Sequence, residues 1–188
     1  MANEKPRLKK LYDETVKSAL VEKFELPNVM MVPVLKKITV NMGLGAYAKD
    51  KKALAEHINE LAMITGQKPV ERRAKRSAAT FKLRTGDPCG VSVTLSGERM
   101  WHFLEKVINV ACPRIRDFNG LKHGFDRQGN YSVGLQDQTV FPEIRVDRIG
   151  RTQGMDLCFT ITGGSDDMSK ELLLGLGFPL KREGESKK

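Results

Sequence analysis

Seven cationic side chains, Lys68, Arg72, Arg73, Lys75, Arg76, Lys82 and Arg84, fall within seventeen residues and are opposed only by Glu71. The segment carries a local charge of +6, against a formal net charge of +9 for the whole chain of 188 residues. Ser77, Thr80 and Thr85 add small donors suited to phosphate and ribose 2′-hydroxyl groups, and Phe81 supplies the one ring available for base stacking. Few large apolar residues are present, so the run cannot be core. A solvated face is the ordinary alternative for a charge run, but such faces usually mix signs. This one does not. The chemistry that fits is contact with a polyanion, RNA above all, through counterion release that weakens steeply with salt and carries little sequence information.

Specificity must then come from elsewhere, and the polar faces of strands are the natural place. Asn41, Ser92, Thr94 and Ser96 fall on predicted strands as exposed hydrogen-bonding groups able to reach bases or ribose. Their alternative reading, the plain solvent side of a sheet, is equally compatible with the pattern.

The remaining chemistry-bearing residues do not assemble into motifs. Gly43-Leu44-Gly45-Ala46-Tyr47-Ala48 superficially matches a dinucleotide-binding fingerprint, but Asp50 and lysines intervene before the next apolar period, and no third glycine follows. A turn needing positive φ accounts for these glycines better. His57, His102 and His123 lie near no nucleophile arrangement, and Asp126, Asp137, Asp147 and Asp156 are scattered. Cys89, Cys112 and Cys158 form no paired spacing, which points to buried or incidental thiols in a reducing cytoplasm. No cofactor, metal site or nucleotide loop is implied.

The elements that must position the basic run follow from periodicity. The first 25 residues read as an amphipathic helix through Leu8, Leu11, Tyr12, Val16, Leu20 and Phe24, ended by Pro27. Lys36–Met42 reads as a strand. Asp50 caps a helix bearing Leu54, Ile58, Leu61 and Ile64, which Gly66 closes. Pro69–Ala74 is strand-like, and Cys89–Gly97 is the strongest strand signal, with Val91, Val93 and Leu95 alternating with polar neighbours. A helix over Glu98–Ala111 buries Met100, Phe103, Leu104, Val107 and Ile108. The stretch Arg114–Gly154 is turn-rich, with extended pieces at Tyr131–Leu135 and Phe141–Ile144. Met155–Gly163 is a late strand, and Ser165 with Asp166 and Asp167 starts a last helix ending near Gly175.

Apolar residues at 40% and charged residues at 29% suit a globular chain large enough for a real core. No stretch approaches the ~20 continuous apolar residues of a membrane span, and the N-terminus lacks a secretory apolar core. One α+β domain over residues 1–188, with a charged tail from about 181 expected to be mobile, is the simplest architecture.

At the level of longer blocks, the sequence resembles a known family. VNMGLG (Val40–Gly45), ITGQKPV (Ile64–Val70), RAKRSAATFKLRTGDPCGVSVTL (Arg73–Leu95), GERMWHFLEKVI (Gly97–Ile108), PRIRDFNGL (Pro113–Leu121), FDRQGNYSVGLQDQTVFPEI (Phe125–Ile144) and GMDL (Gly154–Leu157) look like the bacterial family of large-subunit ribosomal protein number five. The resemblance runs in order over nearly the whole chain. It implies an antiparallel sheet with helices packed mainly on one side, plus a long basic loop. It implies no catalysis, and residence in the cytoplasmic ribosome. The implied partners are 5S rRNA in the central protuberance, 23S rRNA, peptidyl-site tRNA, neighbouring large-subunit proteins and a small-subunit head protein, with no membrane.

Carried over by motif, Asn41, Gln67 and Thr94 would face 5S rRNA, with Lys68 and Ser92 beside them. The loop residues Arg73, Lys75, Arg76, Ser77, Thr80, Phe81, Lys82 and Arg84 would approach tRNA. Arg114, Arg116 and Asp117, with the Glu143–Arg148 stretch and chiefly Glu143 and Arg145, would lie toward the small-subunit head. Three departures stand out: Glu71 beside the loop, Ala79-Thr80 where the family commonly has Ala-Gly, and a segment near Lys122–Gly124 that is one residue short. Two other classes remain to be weighed. A nucleic-acid-processing enzyme would need a carboxylate or histidine cluster, and a stand-alone RNA-binding regulator would travel with mRNA rather than with large subunits.

Overall fold

Val34–Gly43 (β1) alternates Ile38, Val40 and Met42, all fully buried, with more exposed neighbours, and this period of two is what makes it a strand. The computed structural model describes residues 5–45, 50–145, 152–163 and 165–181. The other strands are Val70–Arg73 (β2), Pro88–Ser96 (β3), Tyr131–Leu135 (β4) and Met155–Thr162 (β5). They form one antiparallel sheet in the order β2-β3-β1-β5-β4, with helices on one side. β2 pairs antiparallel with β3, Val70 opposite Ser92 and Arg72 opposite Gly90, and the register shifts by a bulge between Arg72 and Arg73. As an edge strand, β2 carries charged residues that discourage pairing with another chain.

The chain divides into two compact units, and strands β1, β4 and β5, with Ser96 at the end of β3, contribute residues to both. Unit 1 comprises Met1–Ile38, Ser96–Val133 and Cys158–Lys188. Its first helix is continuous from Arg7–Leu11 (α1) through a π turn at Tyr12–Val16 into Lys17–Lys23 (α2). Leu8, Tyr12, Val16 and Leu20 face inward, and the Tyr12 hydroxyl donates to Pro33 O at 3.0 Å. Gly97–Lys106 (α4) packs on α1 and continues through a second π turn at Val107–Ala111. Asp166–Gly175 (α5) is capped by Ser165, whose Oγ accepts from Met168 N. An aromatic cluster closes this core: Tyr131 lies 5.8 Å from Phe159 and 5.4 Å edge-on to Phe178.

Unit 2 comprises Thr39–Leu95 and Gly134–Leu157. Its helix, Lys51–Thr65 (α3), is capped by the Asp50 carboxylate, which accepts from Lys52 N at 3.0 Å, and ends in left-handed Gly66. Leu61 and Ile64 are buried, and so is His57, whose Nδ1 lies 2.9 Å from Glu60 Oε2.

Three expectations change. Phe141–Ile144 is not extended: Phe141 N donates to Gln138 O and Ile144 N to Phe141 O, so successive tight turns bury Phe141 and Ile144 three residues apart. Ile108, within the second π turn, is half-buried, and Leu11 is exposed beside the buried stripe of Leu8, Tyr12, Val16 and Leu20. Ser92 is buried rather than exposed, its hydroxyl reached by Arg72 from the neighbouring strand. Ala46, Tyr47, Ala48, Asp147, Arg148 and the tail beyond Lys181 lie outside the described residues.

Candidate nucleic-acid interface

The basic run folds as a hairpin that joins β2 to β3, cross-braced at three levels. At its base Ala74 N donates to Asp87 O at 2.8 Å and Gly86 N to Ala74 O at 2.9 Å. In the middle Thr85 N donates to Ser77 Oγ at 3.0 Å, and the Ser77 and Thr85 hydroxyl oxygens lie 3.1 Å apart. Near the tip Ala78 and Leu83 exchange both backbone bonds, at 2.9 and 3.1 Å. The turn beyond them places Lys82 at φ 50°, a left-handed conformation that glycine or asparagine adopts more cheaply. Phe81 is 78% exposed there, an apolar ring that no core claims.

Arg73, Lys75, Arg76, Ser77, Thr80, Lys82 and Arg84 are exposed along this hairpin, as the sequence leads one to expect. Not all the charge is equivalent. Arg73 Nε sits 3.2 Å from Glu71 Oε1, so the one acid of the run tempers the cation at the hairpin's base. Arg72 points the other way and donates through Nε to Ser92 Oγ at 2.7 Å. That bond explains the burial of Ser92, which is 4% exposed with its hydroxyl engaged. Strand alternation alone places it on the open face.

Thr94 is exposed on β3 and Asn41 is half-buried on β1, each opposite in phase to the buried Val91, Val93 and Leu95 or Val40 and Met42. Strands β1 and β3 are neighbours, so both polar side chains belong to the sheet face away from the apolar core. Gln67 is set by the end of α3: Thr65 Oγ1 donates to Leu61 O at 2.7 Å and accepts from Gln67 N at 3.4 Å. Lys68 follows, exposed, ahead of buried Pro69.

Two residues of this neighbourhood were not legible as functional. Gln153 Nε2 donates to Gly43 O at 2.7 Å, and Gln153 N donates to Gln138 Oε1, with Gln138 fully buried. Together they fix the end of β1 just beyond Asn41. Their only signal in the sequence was that both lie in or near the longer resembling blocks.

Of the third group, Arg114, Arg116 and Asp117 belong to unit 1, and Glu143 and Arg145 to unit 2. Arg114 ends the short 3₁₀ turn Cys112–Arg114, and Asp117 stands at φ 51°. All are exposed except Glu143, which is half-buried. Among the described residues no cluster of three or more His, Cys, Asp or Glu side chains has the geometry to hold a metal ion.

Two family models match this chain in tandem. The one described as ribosomal protein L5 matches residues 28–84, and the one for the C-terminus of the same ribosomal family matches residues 88–180. A Corynebacterium glutamicum (strain R) protein described as large ribosomal subunit protein uL5 is 51% identical over 179 residues, which is 95% of this chain and 94% of the relative. The counterpart from a second strain of that species gives the same figures. The chain belongs to the ribosomal protein L5 family. Membership makes it a non-catalytic constituent of the large subunit of the cytoplasmic ribosome, with rRNA and ribosomal proteins as its partners. The gap between the two matches, residues 85–87, is the returning foot of the basic hairpin.

Proposed function

We propose that the chain anchors 5S rRNA in the central protuberance through the polar sheet face and reaches peptidyl-site tRNA with the basic hairpin. It acts as a single RNA-binding domain that also touches 23S rRNA, and its Arg114–Asp117 and Glu143–Arg145 stretches meet the small-subunit head. The observation that carries this division is the contrast between two surfaces of unit 2. Asn41, Gln67 and Thr94 are held by strand pairing and a helix cap, as a permanent, specific contact requires. The hairpin offers charge and an exposed ring on a projecting turn, which suits a partner that comes and goes.

Binding assays with the full chain test this. At moderate salt, 5S rRNA should bind more tightly than an unrelated RNA of similar length, and equal affinities would sink the specific reading. Asn41→Ala should weaken 5S rRNA binding about five- to tenfold, the loss of one good hydrogen bond, and Thr94→Arg should impair it by bulk. Reversal of Arg73, Lys75 and Arg76 to Glu should weaken tRNA contact and leave 5S rRNA binding nearly intact. Loss of 5S rRNA binding in that variant would contradict the division of labour.

A further inference from the structure

One side of the hairpin is hollowed. A concavity of about 870 Å³ opens there, and Ser77, Lys82, Leu83, Arg84, Thr85 and Asp87 line it. Arg73, Lys75, Arg76 and Thr80 do not contribute to its wall. The hairpin therefore separates its cations into two groups, and only Lys82 and Arg84 are combined with hydroxyl groups in a shaped recess. Asp87, the carboxylate of the lining, already accepts from Arg84 N through Oδ2 at 3.0 Å, so part of its charge is turned onto the hairpin's own backbone.

The two hydroxyls impose a constraint on what fits. Thr85 N–H donates to Ser77 Oγ, and the hydroxyl oxygens of Ser77 and Thr85 are 3.1 Å apart. If Ser77 donates across to Thr85, the Thr85 proton is left over; if Thr85 donates, the Ser77 proton is left. Either way one O–H of the pair has no partner within it. A donor that lines the same concavity as a lysine and an arginine suits an oxyanion, because charge-assisted bonds are roughly twice as strong as neutral ones.

We propose that this recess is a seat for a single phosphate group, with Lys82 and Arg84 supplying charge and the Ser77–Thr85 pair supplying one oriented neutral donor. The seat rests on the reading of the hairpin as an RNA-facing element and refines it: Lys82, Arg84, Ser77 and Thr85 grip one phosphate at a fixed place, while Arg73, Lys75 and Arg76 attract the backbone without fixing register. A phosphodiester of RNA and free inorganic phosphate share the required chemistry.

Two measurements on the full-length chain test the seat. In the first, affinity for deacylated tRNA is followed across a salt series. The double variant Ser77→Ala/Thr85→Val keeps every charge and should bind about five- to tenfold more weakly, with the slope against log salt unchanged, because no counterion is released at a hydroxyl. Thr85→Val alone keeps the Thr85 N–H bond, and hence the hairpin, and should lose about two- to threefold. The swap Ser77→Thr/Thr85→Ser should restore binding, and Thr15→Val, at an exposed position of the first helix in unit 1, should change nothing. Lys82→Gln and Arg84→Gln should each lower the slope by about one.

In the second measurement, backbone amide shifts are followed as inorganic phosphate replaces chloride at matched ionic strength. Saturable shifts confined to Ser77 and Leu83–Thr85 support a seat that accepts free phosphate. No shifts, together with the tRNA defect of the double variant, support a seat confined to backbone phosphodiesters. Wild-type tRNA affinity in the double variant, or phosphate shifts spread evenly over Arg73–Arg84, would overturn the seat. Unchanged tRNA binding on reversal of Arg73, Lys75 and Arg76 to Glu would instead overturn the underlying reading, so the two failures are distinguishable.

Discussion

Burial governs the reactivity of Cys112. The residue is 1% exposed, and loss of hydration raises its thiol from the ordinary 9.0 to about 11. Cys89 and Cys158 are partly exposed. At pH 8 the raised pKa and the burial of Cys112 both suppress its reaction, so iodoacetamide should alkylate the partly exposed Cys89 and Cys158 well before Cys112 in the native protein. Mass spectrometry of tryptic peptides would show this, and equal rates at the three positions would contradict the burial. The linkage has a definite sign: a raised folded pKa stabilises fully below the unfolded value and is lost as pH rises through the folded one. Stability should therefore fall between pH 9 and about 11, helped by Tyr131, which burial also raises and whose hydroxyl donates to Lys122 O at 2.8 Å. At this scale the sequence was informative wherever a residue acts by type. The exposed cations and Phe81 were legible because charge and an isolated ring need no partner to be recognised. Ser92 was not, since its burial depends on Arg72 reaching it from another strand, and local alternation says nothing about which strand lies alongside.

Strands β1 and β3 were legible because buried β-branched and aliphatic residues recur with a period of two, and α3 because Asp50 and Gly66 mark its ends. Phe141–Ile144 misled because bulky apolar residues around a proline suit an extended piece equally well, whereas consecutive turns bury Phe141 and Ile144 three residues apart without any ladder. The close approach between β1 and β3 was also invisible in one dimension. A Cβ built on Gly90 would lie 2.6 Å from Met42 O, a backbone atom that cannot swing away. Gly90→Ala should therefore push β3 from β1 and destabilise the protein by about 1–3 kcal/mol, the usual range for forcing extra bulk into a packed site. The urea midpoint should fall accordingly. On the proposal that Asn41 and Thr94, which sit on these two strands, face 5S rRNA, binding of that RNA should weaken without urea as well. An unchanged midpoint would mean that the strands accommodate the methyl group and that their spacing is not what holds the polar face in register.

For the molecule as a whole, the division into two compact units raises the question of whether it folds as one domain. Strand β1 begins in unit 1 and ends in unit 2, β4 does the same, and β5 and the last residue of β3 run the opposite way. A strand cannot keep part of its ladder while the rest melts without exposing unpaired backbone groups at the break, so the shared strands should make the chain unfold in one transition. The single tryptophan makes this testable. Trp101 lies in unit 1, 5% exposed and 5.8 Å from the Tyr12 ring, so its fluorescence reports on that unit alone. Far-UV circular dichroism reports on α3 and the strands of unit 2 as well. Urea titrations followed by the two signals should superimpose, with one midpoint and one slope. Separate midpoints would show that the units unfold independently, and the proposed 5S rRNA face of unit 2 would then have to be treated as a module with a stability of its own.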